Sequence, residues 1–253
     1  KAAKSGEDLK DCEVIVITAG IPRKPGMSRD DLLLTNAKIM QAVLEDIKKY
    51  APNSKIIIVS NPLDAMVYAA LKILKFPREQ VIGMAGILDS ARMSHFICEK
   101  LGYGAGQIES SVMGGHGDAM VPLVNYSTVA GVSLPELLSK EDIEDIVTKT
   151  KNGGLQIVKL LETGSAYYAP AHATSLMVEA ILYNNKKIYP CSVMLDGEYD
   201  CKNVVSGVPV MLGSNGIEKI IELNLNEEQK ELFANSVAPV QELIDTLDEK
   251  FFI

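Results

Sequence analysis

Glu13-Val14-Ile15-Val16-Ile17-Thr18-Ala19-Gly20 is a β-branched run that stops at a small residue and a glycine. No polar residue alternates through Val14–Ile17, so it reads as a short strand covered on both faces, the habit of a parallel sheet. The stretch that follows, Ile21-Pro22-Arg23-Lys24-Pro25-Gly26-Met27-Ser28-Arg29, carries two prolines and a glycine and cannot be regular. Asp30 and Asp31 then open a helix, placing acids at its positive end. Leu33, Ala37, Met40, Leu44 and Ile47 recur at helical spacing, and Pro52 stops the pattern. Residues 55–60 form a second buried strand closed by Asn61-Pro62, a helix covers 64–74, and 80–83 reads as a third short strand. This alternation predicts an α/β fold built on a Rossmann-type doubly wound parallel sheet. Ligands of such sheets sit beyond the carboxyl ends of the strands. The loop over 22–29 and Asn61 therefore belong to the binding edge.

Beyond residue 83 the pattern changes to mixed α+β, and the chain divides into a nucleotide-type region over 1–83 and a second domain over 84–253. Leu88-Asp89-Ser90-Ala91-Arg92 starts a helix in which Asp89 and Arg92 share one face. Two readings stay open: a local ion pair of a few tenths of a kcal/mol, or a carboxylate and a guanidinium aimed into a cleft. Val112-Met113-Gly114-Gly115-His116-Gly117-Asp118 sets a histidine among glycines, between β-rich runs over 108–112 and 119–124. That imidazole either packs in a tight turn or faces a cleft and exchanges a proton near neutral pH. A helical stretch from Pro135 is expected to break at Gly153-Gly154 and end near Gly164. Further on, a helix over 168–183, antiparallel strands over 188–195 and 203–211, a strand over 217–223 and a final helix over 226–249 capped by Asn226 complete the reading.

Composition narrows the function. The 253 residues carry 25 basic and 33 acidic side chains, a net charge of −8, which argues against nucleic-acid or anionic-membrane partners. No apolar run reaches membrane-spanning length. Cys12, Cys98, Cys191 and Cys201 have no metal-ligand spacing and read as free thiols, with a Cys191–Cys201 bridge as the alternative. His95, His116 and His172 lack metal-ligand spacing too, so no metal is expected; His95 and His172 read as structural. Only Arg23, Arg29, Arg78 and Arg92 among the basic residues are arginine. They are the candidates for planar, bidentate binding of a carboxylate, which lysine does poorly.

Together these stretches resemble the NAD-dependent malate/lactate dehydrogenase family. The matching motifs are Ile17-Thr18-Ala19-Gly20, Arg23-Lys24-Pro25-Gly26-Met27-Ser28-Arg29, Ser60-Asn61-Pro62, Leu88-Asp89-Ser90-Ala91-Arg92 and Gly114-Gly115-His116-Gly117-Asp118, in family order and at family-like spacing. Similarity continues through Val208-Pro209-Val210-Met211-Leu212-Gly213 to the final helix, so it covers nearly the whole chain. The resemblance implies an oxidoreductase that uses NAD, with His116 as proton donor and acceptor and Asp89 holding its imidazole. It further implies that Arg92 binds the substrate carboxylate beside the reacting carbon, Arg29 polarises the carbonyl, Arg23 binds a distal carboxylate and Asn61 hydrogen-bonds the substrate. Gly20, Asn36, Val59, Ser60 and Asn61 would border the cofactor.

Arg23 selects the substrate class. Lactate-type relatives usually carry a neutral residue there, and pyruvate's methyl group would leave a guanidinium desolvated and unpaired. The expectation is malate and oxaloacetate, with a lactate or other 2-hydroxy-acid dehydrogenase as the alternative. The loop over 22–29 is expected to close over the substrate. Relatives imply a cytoplasmic homo-oligomer, a tetramer or a dimer.

The family begins with a strand, a GxGxxG phosphate loop and an acidic residue for the adenosine ribose. This sequence contains none of them. Gly102-Tyr103-Gly104-Ala105-Gly106 follows a helix rather than a strand and reads as a helix end and turn. About half of the expected nucleotide domain is thus absent, and the chain is expected to derive from a complete enzyme. A reading of another class, a non-catalytic fragment or assembly subunit, is separated by thermal stabilisation with NADH. Preference between NAD and NADP is not legible without the ribose-reading residue.

Overall fold

Apolar strands alternating with amphipathic helices leave one economical arrangement, a sheet with helices packed on its faces, and the chain adopts it. The computed structural model describes residues 4–22, 26–162 and 164–253. Its first part runs β1 (Val14–Ile17), α1 (Arg29–Tyr50), β2 (Lys55–Ile58), α2 (Leu63–Leu74), β3 (Val81–Gly83) and α3 (Gly86–Leu101). Short strands β4 (Ile108–Glu109), β5 (Val112–Met113), β6 (Val121–Pro122), β7 (Thr128–Val129) and β8 (Val132–Ser133) follow. Then come α4 (Leu134–Leu137), α5 (Lys140–Leu161), α6 (Tyr168–Leu182), β9 (Ile188–Asp196), β10 (Lys202–Gly213), β11 (Gly216–Ile220) and α7 (Glu227–Lys250).

β1, β2 and β3 are parallel, as the apolar runs predict. In the second region the short strands pair among themselves, β4-β7-β8 and β5-β6, but the long ones do not form a sheet of their own. β9, β10 and β11 continue the same sheet in the order β1-β2-β3-β9-β10-β11, with β9 joined antiparallel to β3 through Gly83 and Ser192. Helix starts follow local chemistry. Ser28 Oγ accepts the Asp31 N–H at 3.0 Å while the Asp31 carboxylate accepts the Ser28 N–H at 3.1 Å, a reciprocal cap that opens α1. Asn226 and Gln229 repeat it at the start of α7.

Two expectations are corrected. The helical stretch from Pro135 does not break at Gly153-Gly154: it breaks at Leu138-Ser139, and α5 passes through both glycines. Packing of α5 on α3 outweighs the propensity cost of about 1 kcal/mol per glycine. The β-rich runs over 108–112 and 119–124 shrink to paired strands of two residues each. In this region the chain turns too often to extend a ladder.

The main core lies between the sheet and helices α1, α2 and α7, around Met40, Leu44, Ile57, Met66, Val208 and Leu247. A smaller cluster, including Met93, Ile97, Val112, Met120 and Ile146, fills the space between α3, α5 and the short strands. All four cysteines are free thiols. Among the described residues, no helix is long and apolar enough to cross a membrane.

Arg78 is the arginine outside the sequence motifs. It clamps the turn between β9 and β10, with Nη2 2.8 Å from Glu198 Oε1, Nη1 3.2 Å from Oε2 and Nη1 3.1 Å from the Met194 carbonyl. The hydrogen bonds from Arg78 hold the Glu198 carboxyl at about 2, below its usual 4.5. A depressed carboxyl pKa adds stability above the unfolded value and loses it as pH falls through the folded one. Arg78→Met is therefore expected to lower unfolding free energy by about 1–2 kcal/mol at pH 7, discounted for partial exposure. The cost of the substitution should shrink between pH 4.5 and about 2; denaturant melts at pH 7 and pH 3 measure both.

Candidate active site

The loop after β5 is held by its own backbone. Gly114 N–H donates to the Gly207 carbonyl of β10 at 2.8 Å, and Gly207 N–H returns a bond to Gly114 O at 3.0 Å. Gly115 N–H donates to Ser236 Oγ of α7 at 2.8 Å, and His116 N–H donates to Asp64 Oδ2 of α2 at 2.8 Å. Three successive peptide groups are thus fixed by three elements distant in sequence. Gly114 has φ +85°, and a Cβ there would run into Ser236. A Cβ on Gly207 would stand 2.6 Å from the Gly114 carbonyl oxygen, so both positions need glycine.

This anchoring delivers the His116 ring to Asp89. Nδ1 lies 2.8 Å from Asp89 Oδ2, and Arg92 Nη1 lies 3.1 Å from Asp89 Oδ1. Asp89 is 1% exposed, in the first turn of α3. With Nδ1 engaged on the carboxylate, Nε2 is the ring nitrogen without a hydrogen-bond partner among the described residues, and it is the one able to exchange a proton. Burial is the largest influence on the imidazole and lowers its pKa. The charge and hydrogen bond of Asp89, helped by Asp64, outweigh burial and the opposing Arg92, and the pKa is raised above 6.5.

Among the described residues, Arg92 makes one ion pair and keeps Nε buried without a partner. An orphaned buried donor in a site calls for an explanation. Its guanidinium lies along α5, where a Cβ on Gly154 would stand 3.4 Å from Nη2. Gly153 and Gly154 thus lie against the Arg92 side chain, at a distance where a Cβ would make ordinary contact.

A second group gathers at the carboxyl ends of β1 and β2. Asn36, buried in α1, accepts the Ile21 N–H at 2.8 Å and donates to the carbonyls of Asn61 at 2.7 Å and Ile21 at 3.1 Å. Its side chain is used to tie the two loops together. Ser60 Oγ donates to the Ala19 carbonyl at 2.5 Å, Val59 is half-buried and Asn61 is exposed. Gly20 has φ +151°, and a Cβ on it would crowd Asn36 Oδ1 at 3.2 Å. Residues 61–64 link the groups, since Asn61 stands at the strand edge and Asp64 reaches the His116 loop.

The structure brings His116, Asp89 and Arg92 into one cluster and Gly20, Asn36, Ser60 and Asn61 into another. It does not bring Arg29 to either. Arg29 is the exposed first residue of α1 and makes no hydrogen bond or ion pair to the described residues. Arg23 lies outside the described residues. His95 and His172 are exposed, and among the described residues neither bonds to the cluster.

Sequence reading missed Asp64, Ser192 and Ser236. Asp64 looks like an acid in the first turn of a helix, and the two serines look like ordinary strand and helix residues. Their partners lie 52, 128 and 121 positions away, so no local spacing marks them.

Comparison with known proteins agrees with this architecture. The model of the lactate/malate dehydrogenase NAD binding domain matches residues 1–83, and that of the lactate/malate dehydrogenase alpha/beta C-terminal domain matches residues 87–251. Malate dehydrogenase of Aliarcobacter butzleri is 61% identical over 251 residues, 99% of this chain and 80% of the relative. The crystal structure of Cryptosporidium parvum malate dehydrogenase superposes with a TM-score of 0.94 at 42% identity, covering 98% of this chain and 80% of that one. Lactate dehydrogenase from Eimeria maxima, solved with NADH and oxamate, superposes with a TM-score of 0.92 at 44% identity, over 98% of this chain and 77% of that one. On these matches to both of its domains, the chain belongs to the lactate/malate dehydrogenase family.

Proposed function

We propose that this protein interconverts malate and oxaloacetate with NAD(H), His116 acting as the acid–base group. The observation that carries the reading is the buried Asp89, shared between His116 Nδ1 and Arg92, which leaves Nε2 free. The nucleotide region is taken as 1–83 and the catalytic domain as 84–253.

Reducing a ketone adds a hydride to carbon and a proton to oxygen. NAD(H), when bound, supplies or accepts the hydride, which no side chain can. The residues at the carboxyl ends of β1 and β2 fit the nicotinamide end of that cofactor. Gly20 leaves a bare backbone surface there, and Val59, Ser60 and Asn61 border it, with Asn36 holding the two loops in place. His116 Nε2 gives its proton to the substrate oxygen in reduction and takes it back in oxidation. Asp89 fixes the tautomer and stabilises the imidazolium. Arg92, with its unpartnered Nε, binds the carboxylate beside the reacting carbon. Asn61 hydrogen-bonds the substrate and Arg23 binds the distal carboxylate; Arg29, exposed and in neither cluster here, stabilises charge developing on the carbonyl oxygen once the loop over 22–29 closes on the substrate. The fold alone does not separate malate from lactate, because relatives of both names superpose with TM-scores of 0.94 and 0.92. Arg23 supports the dicarboxylate.

The same reading takes the protein as a cytoplasmic homo-oligomer. Exposed Leu155, Val158, Leu160 and Leu161 near the end of α5 and Tyr168 at the start of α6 support self-association. Light scattering is expected to give a multiple of the 27.4 kDa chain mass, and a strict monomer at micromolar concentration contradicts it.

Arg23→Gln is expected to lower kcat/KM for oxaloacetate by about 10- to 100-fold while sparing pyruvate; an unchanged ratio between the two keto acids removes the dicarboxylate assignment. A raised imidazole pKa means that reduction, which needs the imidazolium, is complete at low pH and fades as pH rises through that value. Malate oxidation follows the opposite course. Asp89→Asn should move both limbs to lower pH and cut oxaloacetate reduction at pH 7.5 by about 100-fold or more. pH profiles in the two directions provide the check.

A further inference from the structure

Asp64 lies behind the catalytic loop and is 4% exposed. It stands in the first turn of α2, where an acid ordinarily complements its own helix, yet neither oxygen bonds to that helix among the described residues. Oδ2 accepts the His116 N–H at 2.8 Å, and Oδ1 accepts the Ser192 hydroxyl at 2.5 Å. Ser192 reaches it from β9 because Gly83 stands opposite on β3; a Cβ there would meet Ser192 Cβ at 2.8 Å. A neutral side chain could accept one N–H at lower desolvation cost, so a carboxylate at this depth indicates that its charge is used.

We propose that Asp64, braced by Ser192, is a positioning residue for His116, acting through the peptide N–H and through a buried negative charge. It rests on the reading of His116 as the acid–base group. The charged groups facing His116 are Asp89 and Arg92 from α3 and Asp64 from α2. Asp89 orients the ring from its Nδ1 side, and Asp64 holds the backbone that carries it. The two carboxylates come from different helices and together favour the imidazolium over the neutral ring, against Arg92. Burial, with the charge of Asp89 added, holds the Asp64 carboxyl above the usual carboxylate range, and the Ser192 and His116 donors and the His116 charge oppose that rise and favour the ionised form.

The test is a titration of the full chain labelled with 15N-histidine, which carries only three histidines. His116 is expected to titrate above 6.5 in the wild type. Asp64→Asn keeps the volume and an acceptor for the His116 N–H but removes the charge. The His116 midpoint should then fall by about half a unit to one unit. The alkaline limb of oxaloacetate reduction should move with it, with kcat at pH 7.5 lowered and KM nearly unchanged. A folded Asp64→Asn variant whose His116 titrates like the wild type overturns the proposal. Should that variant not fold, Ser192→Ala, which withdraws the donor from Oδ1, replaces it; a smaller downward shift supports the proposal and no shift overturns it. A wild-type chain that titrates as stated but turns over no oxaloacetate counts against the enzymatic reading and not against Asp64's hold on His116.

Discussion

The hydrogen bonds at positions 114, 115 and 116 fix the loop that carries His116. Each N–H reaches a different element: β10, α7 and α2. A buried peptide group without a partner costs about 1–3 kcal/mol, so the loop cannot drift without leaving donors unmet. That cost converts a glycine-rich turn, the least restrained kind of backbone, into a rigid platform for one imidazole. The glycines serve this purpose by letting Ser236 and β10 come close, rather than by making the loop flexible.

The sheet explains how distant groups arrive there. Its parallel strands end together and present Gly20 and residues 59–61 on one edge. Because β9 and β10 extend the same sheet, Ser192 and Gly207 are carried to the back of the His116 loop from the far end of the sequence. α3 leaves β3 beside them and sets Asp89 and Arg92 on its first two turns. Asp89 and the Arg92 guanidinium paired with it thus stand on a helix, and His116 on a loop pinned from three sides, and a proton relay needs that rigidity.

Legibility followed the range of the interaction. The alternation of strand and helix, the Asn226 cap and the apolar spacing of α1 depend on residues within a few positions of each other, and they read directly from the sequence; the reciprocal bonds from Ser28 and Asn226 to the Asp31 and Gln229 side chains are shown by the structure. Asp89 and Arg92 share a helix face at a spacing of three, so their proximity was legible as well. The break in the helix after Pro135 was misplaced because propensity marks Gly153 and Gly154 as weak points. Packing of α5 over Arg92 and α3 holds the helix through them. The cofactor edge was legible as a location, but the use of Asn36 as a tie between two loops was not.

The sequence by itself determined the α/β class, the parallel strands and the residue types of an acid–base and carboxylate-binding site, because each depends on local periodicity or on a motif of adjacent residues. Only the tertiary structure decided that β9, β10 and β11 join the first sheet, and that Asp64, Ser192 and Ser236 stand behind His116. Strand pairing and buried hydrogen bonds are chosen by three-dimensional closure over more than fifty residues of chain, and a linear pattern carries no record of that closure.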